Sequence, residues 1–317
     1  MPWSRSRRKR IATTETTGTV YETVGGVYTV VLDRGGEVRA SLRGRLKQEE
    51  GRVVIGDRVR VAVSGDSWTI DSIEPRRTSL VRRGRGGRAP KLLAANLDRV
   101  FVVVSLGEPA AGPEVIDRLL ALVEASGMHP VLVLNKLDAP GAKEAAPPLV
   151  EIYRDVGYHV LGTSAVTGEG LDGLRSELGR GSCALIGPSG VGKSTLLNAL
   201  DPNVHLRTGE LSAKTGRGRH TTVASRLLEL VGGALVADTP GFGDVALWGV
   251  DPHHVAECFP EITEPSGRCR FRDCKHLAEP ECAVRQAVTD GEIRESRYRS
   301  YVRLREDATL GRAAGGA

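Results

Sequence analysis

From Thr16 to about Ile73 the apolar positions fall in short β-branched runs: Thr19–Val24, Val27–Leu32, Val38–Leu42, Val59–Val63 and Trp68–Ile73. Turn-forming groups separate them, namely Gly25-Gly26, Asp33-Arg34-Gly35-Gly36, Gly56-Asp57 and Ser64-Gly65-Asp66. Around five strands in under 60 residues predict a small closed β barrel; an SH3-like barrel would give much the same pattern. After an arginine-rich stretch the texture changes. Val100–Leu106 is a continuous apolar run, as expected of a strand buried on both faces. Pro113 opens a helix in which Val115, Ile116, Leu119, Leu120 and Val123 recur at helical spacing. Further strands are predicted at Val131–Leu134, Tyr158–Leu161, Cys183–Ile186, Leu227–Leu230 and Ala234–Ala237, with helices at Gly141–Val156, Leu171–Leu178 and Thr195–Leu200. Strands alternating with helices predict an α/β domain with a mainly parallel sheet.

The division that follows is a basic tail at 1–15, a barrel at 16–75, an arginine-rich linker at 76–95, an α/β domain at 96–250, a Cys/His-bearing unit with helical patterns at 251–306 and a Gly/Ala tail at 307–317. Both tails are expected to be disordered, because neither has apolar periodicity to bury. No internal repeat is visible.

Composition narrows the class. Of 317 residues, 40% are hydrophobic and 26% charged, which is ordinary globular usage. No apolar run approaches the ~18–20 residues that span a bilayer, so no membrane role is expected. The odd count of five Cys argues against a disulfide scaffold, and no apolar stretch follows the basic start, so a cytoplasmic protein is expected. The net charge is +5, and residues 1–10 hold five bases and no acid. A second acid-free stretch, Arg76 to Lys91, carries Arg76, Arg77, Arg82, Arg83, Arg85, Arg88 and Lys91. Such clusters attract a polyanion; a solvated tail and linker are the alternative.

The strongest chemical signal is Gly187-Pro188-Ser189-Gly190-Val191-Gly192-Lys193-Ser194, ending at Thr195, between an apolar strand and a helix. It fits the phosphate-loop pattern in full. Glycines let backbone N–H groups converge on phosphates, Lys193 reaches the terminal phosphates, and Ser194 offers a hydroxyl to Mg²⁺. Asp238-Thr239-Pro240-Gly241 ends a strand 45 residues after Lys193, where Asp238 would hold Mg²⁺ through water and the Gly241 amide could meet a γ-phosphate. Asn135-Lys136-Leu137-Asp138 closes another strand. A buried Asp carboxylate there can accept the guanine N1–H and 2-amino hydrogens, a donor pair adenine lacks. Asn135 can tie this loop to the phosphate loop, and Thr163-Ser164-Ala165 would offer its backbone to the guanine oxygen.

In the usual GTPase chain the phosphate loop precedes the guanine loop. Here 135–138 and 163–165 precede 187–195 and Asp238, which reads as a circularly permuted P-loop GTPase domain. Between them, Gly209–Thr222 is polar, glycine-rich and basic, suiting a switch loop. Thr221 or Thr222 is the expected Mg²⁺-sensing hydroxyl. Phe242 stands where a water-orienting Gln often sits, and Phe cannot polarise water. His220 is the nearest polar candidate for that task, with a surface-loop or RNA-contacting histidine as the alternative. His220 and Lys193 are therefore the candidate catalytic residues, and weak hydrolysis is expected until a partner orders the loop.

Cys269, Cys274, His276 and Cys282 place three thiols and an imidazole within 14 residues. That donor set suits a closed, tetrahedral, structural zinc. Cys183, in an apolar strand, and Cys258, outside the spacing, are expected to be structural.

Together these residues resemble the ribosome small-subunit-dependent GTPase A family (RsgA, also YjeQ or EngC) over about 16–306. The resemblance rests on the permuted loop order, Arg217-Gly-Arg-His-Thr-Thr222, the Cys269/Cys274/His276/Cys282 spacing, and the β module containing Val54-Ile-Gly-Asp-Arg-Val59. It implies an N-terminal OB-fold barrel, a central α/β circularly permuted P-loop GTPase domain and a C-terminal zinc-binding helical domain. It further implies a monomeric, GTP/GDP-binding factor for late maturation of the small (30S) ribosomal subunit, binding 16S rRNA and stimulated by the subunit. One structural Zn²⁺, and Mg²⁺ with GTP, are the implied cofactors. The family's switch histidine maps onto His220. Val223 departs from the Thr often found there, which leaves Thr221 and Thr222 both open. Two rival readings are an RNA-binding scaffold with incidental turnover, and a GTPase serving RNA modification, for which no extra catalytic motif is present.

Overall fold

Period-2 alternation builds the first unit. β1 (Thr16–Val24), β2 (Val27–Leu32), β3 (Glu37–Leu42), β4 (Arg58–Ser64) and β5 (Ser67–Ile73) point Val20, Tyr28, Val30, Leu32, Val59, Val61 and Ile70 into one core. In the computed structural model, residues 15–44, 46, 53–64, 67–82, 91–108, 110–179, 181–204, 206, 225–238 and 252–313 are described. The barrel order is β1-β2-β3-β5-β4, closed by β1 against β4, with β3 and β5 parallel and the other pairs antiparallel. This closed five-stranded order is that of an OB fold, and the SH3-like alternative is set aside.

The segment expected to be a linker carries two strands. β6 (Ser79–Arg82) and β7 (Lys91–Ala95) form an antiparallel ribbon. The physical reason lies in its few apolar residues: Leu80, Leu93 and Ala94 are buried in the same core as Ile55 of the barrel and Val100 and Val102 of the next strand. Arg76 fixes the entry to this ribbon, pairing through both Nε and Nη2 with the fully buried Asp57 at 2.6 and 2.9 Å.

The central sheet runs β10-β9-β8-β11-β13-β12, from β8 (Arg99–Ser105), β9 (Pro130–Asn135), β10 (His159–Gly162), β11 (Ser182–Ile186), β12 (Ser225–Glu229) and β13 (Leu235–Asp238). The pairings are parallel except between β12 and β13. Alternate residues of β8 explain its unbroken apolar run. Val100, Val102 and Val104 meet α1 (Pro113–Ala125) and Tyr153 of α2 (Ala142–Asp155). Phe101 and Val103 meet α3 (Leu171–Leu178) and α4 (Lys193–Leu200) on the opposite face. β12 also pairs with β1 (Glu22 opposite Arg226, Thr23 opposite Ser225), so barrel and central sheet form one continuous 11-stranded sheet.

The C-terminal unit comprises a 3₁₀ turn at Val255–Cys258, α5 (Pro260–Ser266), α6 (Ala283–Thr289) and α7 (Glu295–Ala313). The predicted tail from 307 is therefore corrected: α7 continues to Ala313, because Ala308 is buried and Asp307 pairs with Arg118 of α1 at 2.5 Å. α7 is bound to the central domain by charge. Arg303 meets Glu114, Arg294 meets Glu151 and Asp155, and Arg297, 1% exposed, bridges Asp117 and Glu261 at 2.6 Å each. The Arg297 guanidinium also sits over Phe259, Tyr153 and Tyr158, 4.8 to 5.7 Å from their ring centres. Tyr153 donates its hydroxyl to Asp117 at 2.8 Å. Residues 1–14, 83–90 and 314–317, including nearly all of the predicted N-terminal tail and the last four residues of the C-terminal one, lie outside the described residues.

Candidate functional site: a nucleotide pocket and a Cys3His cluster

The parallel strands deliver three of the sequence motifs to one edge of the sheet. β11 ends at Ile186 and hands over to the loop 187–192, after which Lys193 begins α4. Two glycines are imposed by close approach. A Cβ on Gly187 would lie 2.0 Å from the Val103 carbonyl oxygen, and one on Gly192 (φ +97°) would lie 2.5 Å from Nδ2 of Asn135. The loop can therefore nestle against β8 and the 135–138 loop only with glycine there.

Asn135, at the end of β9, is 1% exposed and works as a latch. Its Nδ2 donates to the Val191 carbonyl at 2.8 Å, and its Oδ1 accepts from Thr163 Oγ1 at 3.1 Å. One buried amide thus joins all three loops, 135–138, 163–165 and 187–194. Leu137 N–H donates to the Thr163 carbonyl at 3.1 Å. Buried Ser164 donates its hydroxyl to Asp138 Oδ1 at 2.5 Å and accepts the Thr167 N–H at 3.1 Å. Asp138 itself is exposed, which corrects the expectation of a buried carboxylate. β9 ends at Asn135, so the residue three positions on stands beyond the C-terminal end of the strand, where Ser164 holds one of its oxygens.

Lys193 turns back over its own loop and donates Nζ to the carbonyls of Gly187 and Pro188, both at 2.8 Å. Burial lowers its pKa to about 8, since an ammonium with only neutral partners loses hydration. Ser194 is half-buried and Thr195 exposed. Asp238 closes β13, the neighbour of β11 in the sheet. His220, Thr221, Thr222 and Gly241 lie outside the described residues, so the predicted switch and the γ-phosphate contact have no geometry here.

In the C-terminal unit, the candidate ligand atoms of Cys269, Cys274, His276 and Cys282 lie within 4.8 Å of one another. The Sγ atoms of Cys269 and Cys282 are 3.9 Å apart, and each is 3.5 Å from His276 Nδ1. A tetrahedron with Zn–S of about 2.3 Å and Zn–N of about 2.0–2.1 Å has edges of roughly 3.8 and 3.6 Å, so the cluster is compatible with one zinc. Ser266 donates its hydroxyl to the Ile262 carbonyl at 2.7 Å and lies 3.1 Å from His276 Nε2, an arrangement that suits an Nε2–H donating to Ser266 with Nδ1 free to face the thiols. Tyr298 and Tyr301 of α7 donate to the carbonyls of His276 and Lys275 at 2.6 and 2.7 Å, docking this knuckle on α7. Cys183 and Cys258 are buried, and burial pushes each thiol up to about 12, in keeping with inert structural roles.

Sequence reasoning did not anticipate the side-chain roles of Thr163, Ser164 and Ser266. Isolated hydroxyls next to motif residues carry no spacing signal, although Thr163 and Ser164 belong to the Thr163-Ser164-Ala165 motif.

The fold and site define a circularly permuted P-loop GTPase with an OB-fold barrel before it and a Cys3His unit after it. Comparison with known proteins agrees for the barrel and the GTPase domain. The family model for the RsgA GTPase matches residues 73–248, and that for the RsgA N-terminal domain matches 17–69. A small ribosomal subunit biogenesis GTPase RsgA from Gemmatimonas aurantiaca is 45% identical over 95% of this chain and 100% of its own length. One from Moorella thermoacetica is 42% identical over 90% of this chain and 94% of its own. Among solved structures, YjeQ from Thermotoga maritima superposes with a TM-score of 0.77 at 32% identity, covering 93% of this chain and 99% of that one. YloQ, described as a circularly permuted GTPase, gives 0.72 at 26% identity, over 96% and 98%. The chain belongs to the RsgA GTPase family and is a GTP-hydrolysing enzyme. No helix among the described residues is long and apolar enough to cross a membrane.

Proposed function

We propose that this chain is a GTP-driven assembly factor for the small ribosomal subunit, acting in the cytoplasm as a monomer. The observation that carries the nucleotide half is the Asn135 latch, which joins the 135–138, Ser-Ala and phosphate loops despite their permuted order. The biogenesis half is supported by the names of the relatives. Asp138 reads the guanine edge, with Lys136, Leu137, Ser164 and Ala165 framing it. Residues 187–195 hold the phosphates through backbone N–H groups and the Lys193 ammonium. The Mg²⁺ that accompanies GTP supplies neutralising charge at the phosphates; Ser194, Asp238 and either Thr221 or Thr222 would hold it. His220 orients water for attack on the γ-phosphate. Cys269, Cys274, His276 and Cys282 hold one structural zinc.

The RNA-contacting surface in this reading includes the β6–β7 ribbon. Arg82 and Lys91 are register partners at its end, and the acid-free sequence Arg83–Pro90 connects them. Contact with 16S rRNA would be mainly to phosphates. GTP turnover measured with and without small subunits tests the proposal: stimulation by the subunit is expected, and His220→Ala should abolish the stimulated rate while sparing GTP binding. A second reading, an RNA-binding scaffold with incidental turnover, is favoured by Phe242 in the position of a water-orienting Gln. An unstimulated rate would select it.

A further inference from the structure

Where β8 ends, residues 105–108 turn alongside the guanine loop, and the mechanism above gives them no task. The turn is clasped to that loop. Leu106 N–H donates to the Asn135 carbonyl at 3.0 Å. Ser105, 1% exposed, closes the turn by accepting the Gly107 N–H at 3.1 Å and donating to the Gly107 carbonyl at 2.8 Å. Lys136 adopts a left-handed backbone (φ +64°) and sends its Nζ to the Glu108 carbonyl at 2.6 Å. Gly107 is pressed hardest: a Cβ there would lie 2.7 Å from Cβ of Ala139 and 3.7 Å from Cδ of Lys136. The Ala139 methyl is fixed to the backbone, so it cannot swing aside.

Asp138 stands between Lys136 and Ala139 and is exposed. An exposed carboxylate discriminates between bases only if its position is fixed before the base arrives. Ser164 holds one oxygen, and the turn clamps Lys136, two residues before Asp138, and Ala139, one after it.

We propose that the Ser105–Glu108 turn is a positioning element for base specificity, a role that rests on reading 135–138 as the guanine loop. Gly107 lets the turn close on Ala139 and the Lys136 stem, and the Glu108 carbonyl tethers the Lys136 ammonium. The loop then presents Asp138 in one setting, ready for a base edge carrying both N1–H and a 2-amino group.

The test is calorimetric titration of the full chain with GDP and with inosine diphosphate, which lacks the 2-amino group. Gly107→Ala is expected to weaken GDP binding by at least about tenfold, the scale of a misplaced positioning contact, and to narrow the GDP-to-IDP ratio. Gly107→Ala combined with Ala139→Gly removes the collision and is expected to restore both. Gly112→Ala is the control in the same loop, since a Cβ there meets nothing within 4 Å. Ser105→Ala adds no atom and loosens the same turn, so it should narrow the ratio even where Gly107→Ala proves unfolded. An unchanged ratio in both Gly107→Ala and Ser105→Ala overturns the proposal. So does an equal loss of both nucleotides without recovery in the double variant. Wild-type protein with no preference for GDP would instead sink the guanine-loop reading beneath it.

Discussion

Lys193 shows how one residue's surroundings set a measurable property. Its ammonium is buried against two carbonyls, which lowers its pKa to about 8. Phosphate oxygens favour the charged form, so nucleotide binding takes up a proton once the free lysine begins to lose its own. Affinity for GDP should therefore fall as pH rises through about 8. Titrations near pH 8.5, in buffers of differing ionisation enthalpy, should report proton uptake; the absence of uptake contradicts the assignment. The sign for stability is opposite. The folded pKa lies below the unfolded value of about 10.4, so the unfolded chain binds more protons between the two, and this group's contribution to stability improves as pH rises across that window. At the same scale the motif residues were legible in the sequence because their chemistry is local. Gly187 to Ser194 must follow one another for the loop to form at all. The exposure of Asp138 was not legible, since it depends on where β9 ends.

The contacts between α1, α5 and α7 depend on pairings invisible along the chain. Asp117 and Arg297 are 180 residues apart, and only the folded packing shows that they meet at 2.6 Å away from solvent. Arg297→Ala would leave Asp117 and Glu261 as uncompensated buried charges, and the expected loss is about 3–5 kcal/mol. Denaturant unfolding followed by circular dichroism measures it, and a loss under about 1 kcal/mol would show the cluster to be adaptable. The Cys3His knuckle was readable because its ligands fall in one short segment. Its second anchor on α7, through Tyr298 and Tyr301, was not. Chelation should therefore free the knuckle while Arg294, Arg297 and Arg303 keep α7 docked. Limited proteolysis after chelation should cut between Ser266 and Cys282 and leave GDP affinity intact. Cleavage within α7 instead would contradict this division. The extension of α7 past Glu306 escaped sequence reading because, among the residues there whose burial is described, the small Ala308 alone is buried.

Across the whole molecule the barrel and the GTPase sheet are one structure. β1 pairs with β12, and Ile55, Leu80, Leu93 and Leu97 are buried in the same core as the central strands. β12 lies between the barrel and β13, which ends at Asp238, so the strand leaving the predicted switch segment borders both the barrel and the site. The barrel and the α/β domain were each legible from periodicity, two in the first and runs with helices in the second. Their junction was not, because Leu80 and Leu93 are scattered apolar residues in an arginine-rich stretch. Ile55→Ala should cost about 2–5 kcal/mol and split a single calorimetric transition of barrel and sheet into two. Two transitions already present in the wild type would contradict this unity.

Base recognition by the 135–138 loop underlies the role given to every other part of the nucleotide site, and nucleotide calorimetry on wild type and Asp138→Asn tests it most directly. Wild type should hold GTP and reject both ATP and xanthosine triphosphate. Asp138→Asn should exchange GTP for xanthosine triphosphate, with the preference shifting by at least about a hundredfold, the scale set by unpaired polar groups in a recognition site. A folded variant that kept its partiality for GTP, or a wild type indifferent to the base, would contradict the account.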